Sequence, residues 1–263
     1  MVMRFGPSGL GGKTEASVVL EKYHKLGLKA CEIAFTYGVY LDKKSAEEIG
    51  KKAKELDINL SIHAPYYINL NSDDKTKIEA SKKRILDCCE IGHYLSSDKY
   101  KTPIVFHAGF YSKMEPEEAF QNIKKEIIEL LEEIKKKEFN VVLCPEVMGK
   151  RNVFGSIEEI SKLVKETGCG FCIDFAHVLA RYDKNNFELV EESFGKAEYW
   201  HCHFSGIVYG DKGEKNHRHT EEKEWKGLLS FLKTLDKNIT IISEAPDPVG
   251  DATEGMELWG KTK

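Results

Sequence analysis

The chain has 263 residues, 41 % of them hydrophobic and 31 % charged, with a formal net charge of −4. This is the composition of a folded protein with a sizeable core, not of a disordered one, and no run of about 18 apolar residues could cross a bilayer. The negative balance argues against a protein that coats nucleic acid through a broad basic surface, although bound divalent cations could still supply a local positive field for a phosphate.

From the N-terminus, MVMRFG is the first strand candidate and residues 14 to 26 the first helix. KACEIAF (29 to 35) precedes a helix over 43 to 56, and NLSIHA (59 to 64) a helix over 74 to 94. PIVFHAG (103 to 109) leads to a helix over 115 to 136, where Ile123, Ile127, Leu130, Leu131 and Ile134 recur at helical spacing. NVVLCPE (140 to 146) and GFCIDFAH (170 to 177) are the fifth and sixth strands, followed by helices over 156 to 167 and 185 to 195. YWHCHFS (199 to 205) runs into a long loop and a helix over 221 to 235; ITIISEAP (239 to 246) runs into a short helix around 251 to 261. Eight strands, each followed by a helix, predict a single-domain (β/α)8 TIM barrel over residues 1–263, because parallel strands need crossover helices and eight of them close into a ring.

The seven cysteines lie mostly in apolar strand-like runs and suit buried thiols of a reducing compartment. Cys169 and Cys172 have the spacing of half a zinc site, but no second pair accompanies them and their segment reads as a strand start. The N-terminal MVMRFGPSGLGGK carries no secretory signal, so the expectation is a cytoplasmic protein.

Chemistry in such a barrel sits at the C-terminal mouth of the strands. Strand ends three to eight and their loops carry His63, His107, Glu146, Asp174 with His177, His203, His217 with His219, and Glu244. A lone histidine ending a strand is more often a hydrogen-bonded structural residue than a ligand. Six successive strands ending in imidazoles or carboxylates are not explained by separate packing needs, and the count exceeds the three or four ligands one zinc ion takes. The pattern therefore points to two or three ions. His24 and His93 fall on predicted helices away from the mouth, where surface or packing roles are expected, and His201 should lie deeper on the same side of its strand as His203, at most behind a ligand.

The segments His63-Ala64-Pro65-Tyr66, Phe106-His107-Ala108-Gly109, Pro145-Glu146, Cys172-Ile173-Asp174-Phe175-Ala176-His177, His203 and Ser243-Glu244-Ala245-Pro246 together resemble the endonuclease IV family of abasic-site DNA repair enzymes, over about residues 59 to 247. The resemblance implies a TIM barrel with three clustered zinc ions; for this chain two or three ions are expected, with Mn2+ or Fe2+ able to take some sites. It also implies a monomer acting on double-stranded DNA, cutting 5′ to the abasic site through metal-activated water and leaving a 3′-hydroxyl and a 5′-deoxyribose phosphate. By that resemblance His63 and His107 would hold one ion; Glu146 would bridge to a second, completed by Asp174, His203 and Glu244; His177 would belong to a third. Glu146 would also orient or deprotonate the water.

For the third ion the family has an aspartate and a histidine one residue apart, whereas this chain has His217-Arg218-His219, preceded by Asp211 and Glu214. Either His217 replaces the aspartate and His219 is the usual histidine, or His217 is the usual histidine in a shifted register. Tyr66 and Tyr67 occupy the positions that enter the minor groove in the family, where a ring can stack on bases left without a partner; the alternative is that they cap the barrel mouth. The second βα loop lacks the family's arginine, a part that Tyr37 or Tyr40 could take.

Two other functions draw on the same residues. A single-metal (Mn or Mg) sugar isomerase or epimerase on a related barrel would need Glu146, Asp174, His203 and Glu244 but has no use for His63 and His107. A damaged-DNA binding module with weak cleavage is the third, suggested by the altered second loop.

Overall fold

The computed structural model describes residues 1–97 and 99–261, so positions 98, 262 and 263 of the expected barrel lie outside the described residues. In chain order the elements are β1 (Met3–Pro7), α1 (Ala16–Lys25), β2 (Ala30–Ala34), α2 (Lys43–Glu55), β3 (Asn59–His63), α3 (Lys75–Leu95), β4 (Thr102–Phe106), α4 (Pro116–Lys136), β5 (Val141–Pro145) and α5 (Ile157–Thr167). There follow β6 (Cys172–Asp174), α6 (Phe175–Tyr182), α7 (Phe187–Phe194), β7 (Tyr199–Phe204), β8 (Gly206–Gly210), β9 (Gly213–Arg218), α8 (Glu222–Leu232), β10 (Asn238–Ser243) and α9 (Pro248–Lys261).

Two parallel arcs, β2-β3-β4-β5 and β1-β10-β7-β6, make the wheel. Parallel bridges from Ser8 to Glu32 and from Glu146 to Cys172 join the arcs at both seams and close the TIM barrel. At the first seam Gly6 admits the neighbouring strand: a Cβ there would fall 1.9 Å from the carbonyl oxygen of Ala30. Register places Cys172 beside His201 and Asp174 beside His203. Because strand side chains alternate, these residues form two stacked layers on one side of the sheet, the second at the mouth.

The helices begin and end where their caps dictate. Asp42 with Ser45 and Ser156 with Glu159 form capping boxes for α2 and α5, Pro116 opens α4, and Gly168 ends α5 at φ 76°. The core lies between wheel and helices: Ile123, Ile127 and Leu130 of α4 are fully buried, as are Ile33, Ile62, Ile104, Ile173 and Trp200 on the strands. Trp225 of α8 packs edge-on against Phe204 at 4.8 Å and Phe5 at 6.2 Å. His24 bonds the Leu56 carbonyl at 2.9 Å and His93 accepts from the Asn140 amide at 3.2 Å, both away from the mouth. All seven cysteines are free and buried. No helix among the described residues is long and apolar enough to cross a membrane.

Three elements differ from the sequence expectation. The sixth strand stops at Asp174 rather than running to 177, because the Asp174 carboxylate caps α6 by accepting the His177 amide. The long loop after the seventh strand contains the antiparallel β8–β9 hairpin. The last helix starts three residues earlier than 251, with Pro248 in its first turn.

Candidate metal centre

Glu146, directly after β5, is 1 % exposed and forms the middle of the mouth. Its Oε2 lies 3.0 Å from His107 Nε2 and 3.4 Å from His63 Nε2; its Oε1 lies 3.3 Å from both His203 Nδ1 and His177 Nδ1. His203 Nδ1 also faces Glu244 Oε1 at 3.6 Å, and His177 Nδ1 faces Asp174 Oδ2 at 3.3 Å. Residues from β3 to the end of β10 thus converge in three groups of donor atoms: His63, His107 and Glu146; Glu146, Asp174, His203 and Glu244; and Asp174, His177 and His217.

Local structure fixes several of these atoms. The Asp174 Oδ1 is held at 2.9 Å by the His177 amide, which leaves Oδ2 free to face the mouth. His63 Nδ1 meets the Ala64 carbonyl at 3.0 Å, and His177 Nδ1 the Val147 carbonyl at 3.0 Å. His217 Nδ1 is 2.7 Å from Ser205 Oγ. Each bond turns a ring so that one nitrogen is committed and the other, or its far side, looks into the cleft.

Burial opposes charge on these groups, and their mutual proximity overrides it. Desolvation alone would lower the His63 pKa, but the hydrogen bond and charge of Glu146, helped by Glu32 and Glu244, raise it to about 9. Desolvation would likewise lower His177, which Asp174, Glu146 and Glu214 push well above the usual range, and His203, which Cys172, Glu32 and Glu244 push up. Desolvation would raise Glu146, which His107, His177 and His203 hold far down. Yet Glu146 Oε1, Asp174 Oδ2, His177 Nε2 and His203 Nδ1 are buried without a hydrogen-bond partner among the described residues. Buried polar atoms are rarely left so, and anionic oxygens interleaved with imidazole nitrogens are the donor set of divalent first-row cations. The residues present fit such ions.

Of the loop histidines, only His217 joins the mouth; its ring centroid is 5.5 Å from that of His177. His219 is 69 % exposed and points to Asp251 and Glu254, at 3.7 and 3.8 Å, so the structure does not bring it to the site. The cause is the end of the strand: alternation along a continued strand would keep His217 and His219 on one face, but β9 ends at Arg218 and His219 turns outward. Glu214 on the same strand places Oε2 3.4 Å from His177 Nε2, supplying a carboxylate beside the all-imidazole pair.

A cleft of about 730 Å3 opens over these groups, lined in part by His63, His107, His177, His217, Glu214 and Glu244. Its rim carries Tyr66, Tyr67 and Phe110, all exposed, together with Lys150. Tyr67 is 75 % exposed and sits at φ 72°, a left-handed conformation that strains a bulky side chain. Tyr37 is exposed on the neighbouring loop, outside the cleft lining, whereas Tyr40 packs edge-on to Phe35 at 5.1 Å and bonds the Gly11 carbonyl. Sequence reasoning did not single out Glu32, Ser61 or Phe110. Glu32 offered one signal, a carboxylate inside an otherwise apolar strand; Phe110 offered only its place directly after His107-Ala108-Gly109.

A family profile described as a xylose isomerase-like TIM barrel matches residues 20–262. The chain is 36 % identical to an uncharacterized protein of Methanocaldococcus jannaschii, over 99 % of this chain and 98 % of that one. It is 28 % identical to a probable endonuclease 4 of Aquifex aeolicus, over 74 % of this chain and 72 % of that one. Among solved structures, SacUVDE superposes with a TM-score of 0.73 at 17 % identity, covering 100 % of this chain and 99 % of that one. D-Psicose 3-epimerase of Clostridium cellulolyticum H10 superposes with 0.70 at 14 % identity, covering 100 % and 97 %; at such identities the likeness concerns the fold alone. With the donor groups of the mouth, these matches support an enzyme of a metal-binding family.

Proposed function

The chain belongs to the xylose isomerase-like TIM barrel family, as a divergent relative of the endonuclease 4 proteins, and from that premise we propose that it is a metal-dependent endonuclease that cuts duplex DNA on the 5′ side of abasic sites. The observation that carries this reading is the convergence of His63 and His107 on Glu146, at 3.4 and 3.0 Å. Glu146, Asp174, His203 and Glu244 already form a complete four-residue group, enough for the single ion of an epimerase. Two further imidazoles directed at the same carboxylate serve a second ion.

On this reading His63, His107 and Glu146 would hold one ion, Glu146, Asp174, His203 and Glu244 a second, and His177 with His217 and a carboxylate from Asp174 or Glu214 a third. Zinc suits the mixed imidazole and carboxylate set, and Mn2+ or Fe2+ suits it as well. When bound, such ions acidify water and spread the charge of a phosphate in transit. The protein's own groups supply position and proton handling. Glu146, kept anionic by the imidazoles around it, stands where it can take a proton from attacking water and pass it on. The water oxygen joins phosphorus as the bond to the 3′ oxygen breaks; the proton ends on that oxygen, giving a 3′-hydroxyl and a 5′-deoxyribose phosphate. Tyr66, Tyr67 and Phe110 would stack on bases beside the gap, and Lys150 would pair with a flanking phosphate. A monomer offers the cleft to DNA without further subunits.

The test is incubation with a duplex carrying one synthetic abasic site, with and without a chelator. Metal-dependent incision on the 5′ side supports the reading. The epimerase alternative rests on the four-residue group; absence of incision together with turnover of a keto-sugar would establish it instead.

A further inference from the structure

We propose that Glu32, on β2 inside the barrel, is a positioning residue that fixes the tautomer of His203 and so presents His203 Nδ1 to a metal at the mouth. Glu32 is completely buried, one of few carboxylates so placed. Its Oε2 accepts from Ser61 Oγ at 2.7 Å and from His201 Nε2 at 3.0 Å. Its Oε1 lies 2.9 Å from His203 Nε2, an ion-pair contact, and both atoms are buried without a hydrogen-bond partner among the described residues. A carboxylate taken wholly out of water costs several kcal/mol unless its lone pairs are met, so this cluster of a serine and two histidines is a built device rather than a packing accident.

The consequence lies at the other side of the His203 ring. When a metal displaces one proton from the ring, a carboxylate oxygen 2.9 Å from Nε2 favours keeping the other proton there, which leaves the Nδ1 lone pair for the ion. That lone pair looks at Glu146 Oε1, 3.3 Å away, and Glu244 Oε1, 3.6 Å away. Three electron-rich atoms face one another, an arrangement that a cation relieves. His201 Nε2 completes the second oxygen of Glu32 and keeps that carboxylate from turning. The proposal rests on the metal-binding part of the function above and is independent of whether the substrate is DNA.

The test uses the zinc-loaded full chain with 15N-labelled histidine. Long-range 1H–15N correlation should find His203 protonated at Nε2 and metal-bound through Nδ1. Chelator competition on Glu32→Gln should give about 10- to 100-fold weaker retention of one ion, the usual effect of losing the carboxylate behind a histidine ligand, and Glu32→Asp should recover part of it. Ser61→Ala, which removes the hydroxyl that donates to Glu32, should move the His203 Nε2 proton resonance while the fold and zinc count persist, and it keeps the idea testable should Glu32→Gln not fold. Cys172 lies within ligand distance of His201 and His203, so Cys172→Ala should leave the zinc count unchanged. Loss of an ion in Cys172→Ala would mean that the inner residues hold a metal themselves and would overturn the proposal. So would unchanged affinity in Glu32→Gln, or a His203 bound through Nε2. A wild-type chain that takes up none of zinc, Mn2+ and Fe2+ overturns both this inference and the broader functional reading, whereas metal uptake with an indifferent Glu32→Gln overturns this inference alone.

Discussion

His63 and His107 stand with ring centroids 5.1 Å apart and planes at 87°, and both direct Nε2 at a single oxygen of Glu146. Two imidazoles from different strands meeting one carboxylate oxygen make Glu146 the joint between two donor groups. Glu146→Gln removes the shared charge while keeping the shape. Metal analysis should find at least one equivalent lost per chain, and incision should fall about 10^3-fold or more, since charge at a reacting phosphate is the largest single catalytic contribution. Wild-type metal content in this variant would contradict the assignment.

The loop histidines separate by the same measurement. His217→Ala should cost up to one metal equivalent and Glu214→Gln should weaken retention of that same ion. His219→Ala should leave both metal content and incision at wild-type values, because its exposed ring faces Asp251 and Glu254 rather than the mouth.

Protons and metals compete for His63. Its folded pKa of about 9 lies above the value of roughly 6.5 for a free histidine. In metal-free protein the His63–Glu146 pair therefore contributes stability that is fully present below about pH 6.5 and is lost as pH rises through about 9. Metal binding requires the neutral ring, so the rise in melting temperature on adding zinc should grow across that window. Melting curves at pH 6, 7.5 and 9, with and without metal, check both signs; a zinc increment that shrinks with rising pH would refute the role of His63.

Tyr67 holds φ 72° at the rim with three-quarters of its surface in water. Tyr67→Gly removes the strain and the ring together. Stability should hold or rise by about 1 kcal/mol, while KM for an abasic duplex should rise about 10-fold, within the range of one lost base stack, with metal content unchanged. If KM stays put, the ring merely shields the mouth.

Gly6→Ala should act on the fold alone. The added methyl would meet the Ala30 carbonyl 1.9 Å away, backbone against backbone, so the first and second strands must part. A loss of about 4 kcal/mol or more in denaturant unfolding, or insoluble protein, is expected.

The wheel was legible because each of its strands is a short apolar run and most of its helices repeat their apolar residues at 3.6 spacing, so the eight barrel strands fell within a few residues of their positions. The mouth was legible for a related reason: chain direction alone puts His63, His107, Glu146, Asp174, His203 and Glu244 at one end. What escaped depends on partners that no local pattern encodes. Phe175 to His177 continue an apolar run, and only the capping bond from the His177 amide to Asp174 turns them into a helix. The hairpin strand GEKNHR has no apolar alternation, since one side faces solvent and the other a polar cleft. Glu32 reads as an interruption of its strand until Ser61, His201 and His203 are seen around it.

The β8–β9 hairpin stands outside the closed ring, yet it carries His217 and Glu214 against His177. Seven of the eight grouped donor residues are thus frozen into the architecture, while His217, the outermost pole of the centre, rides on an appendage whose sequence can drift without unseating the barrel. Diversification of such a scaffold would begin there: exchanging residues 206–218 alone would change which donor atoms stand beside His177, with the foundations left standing.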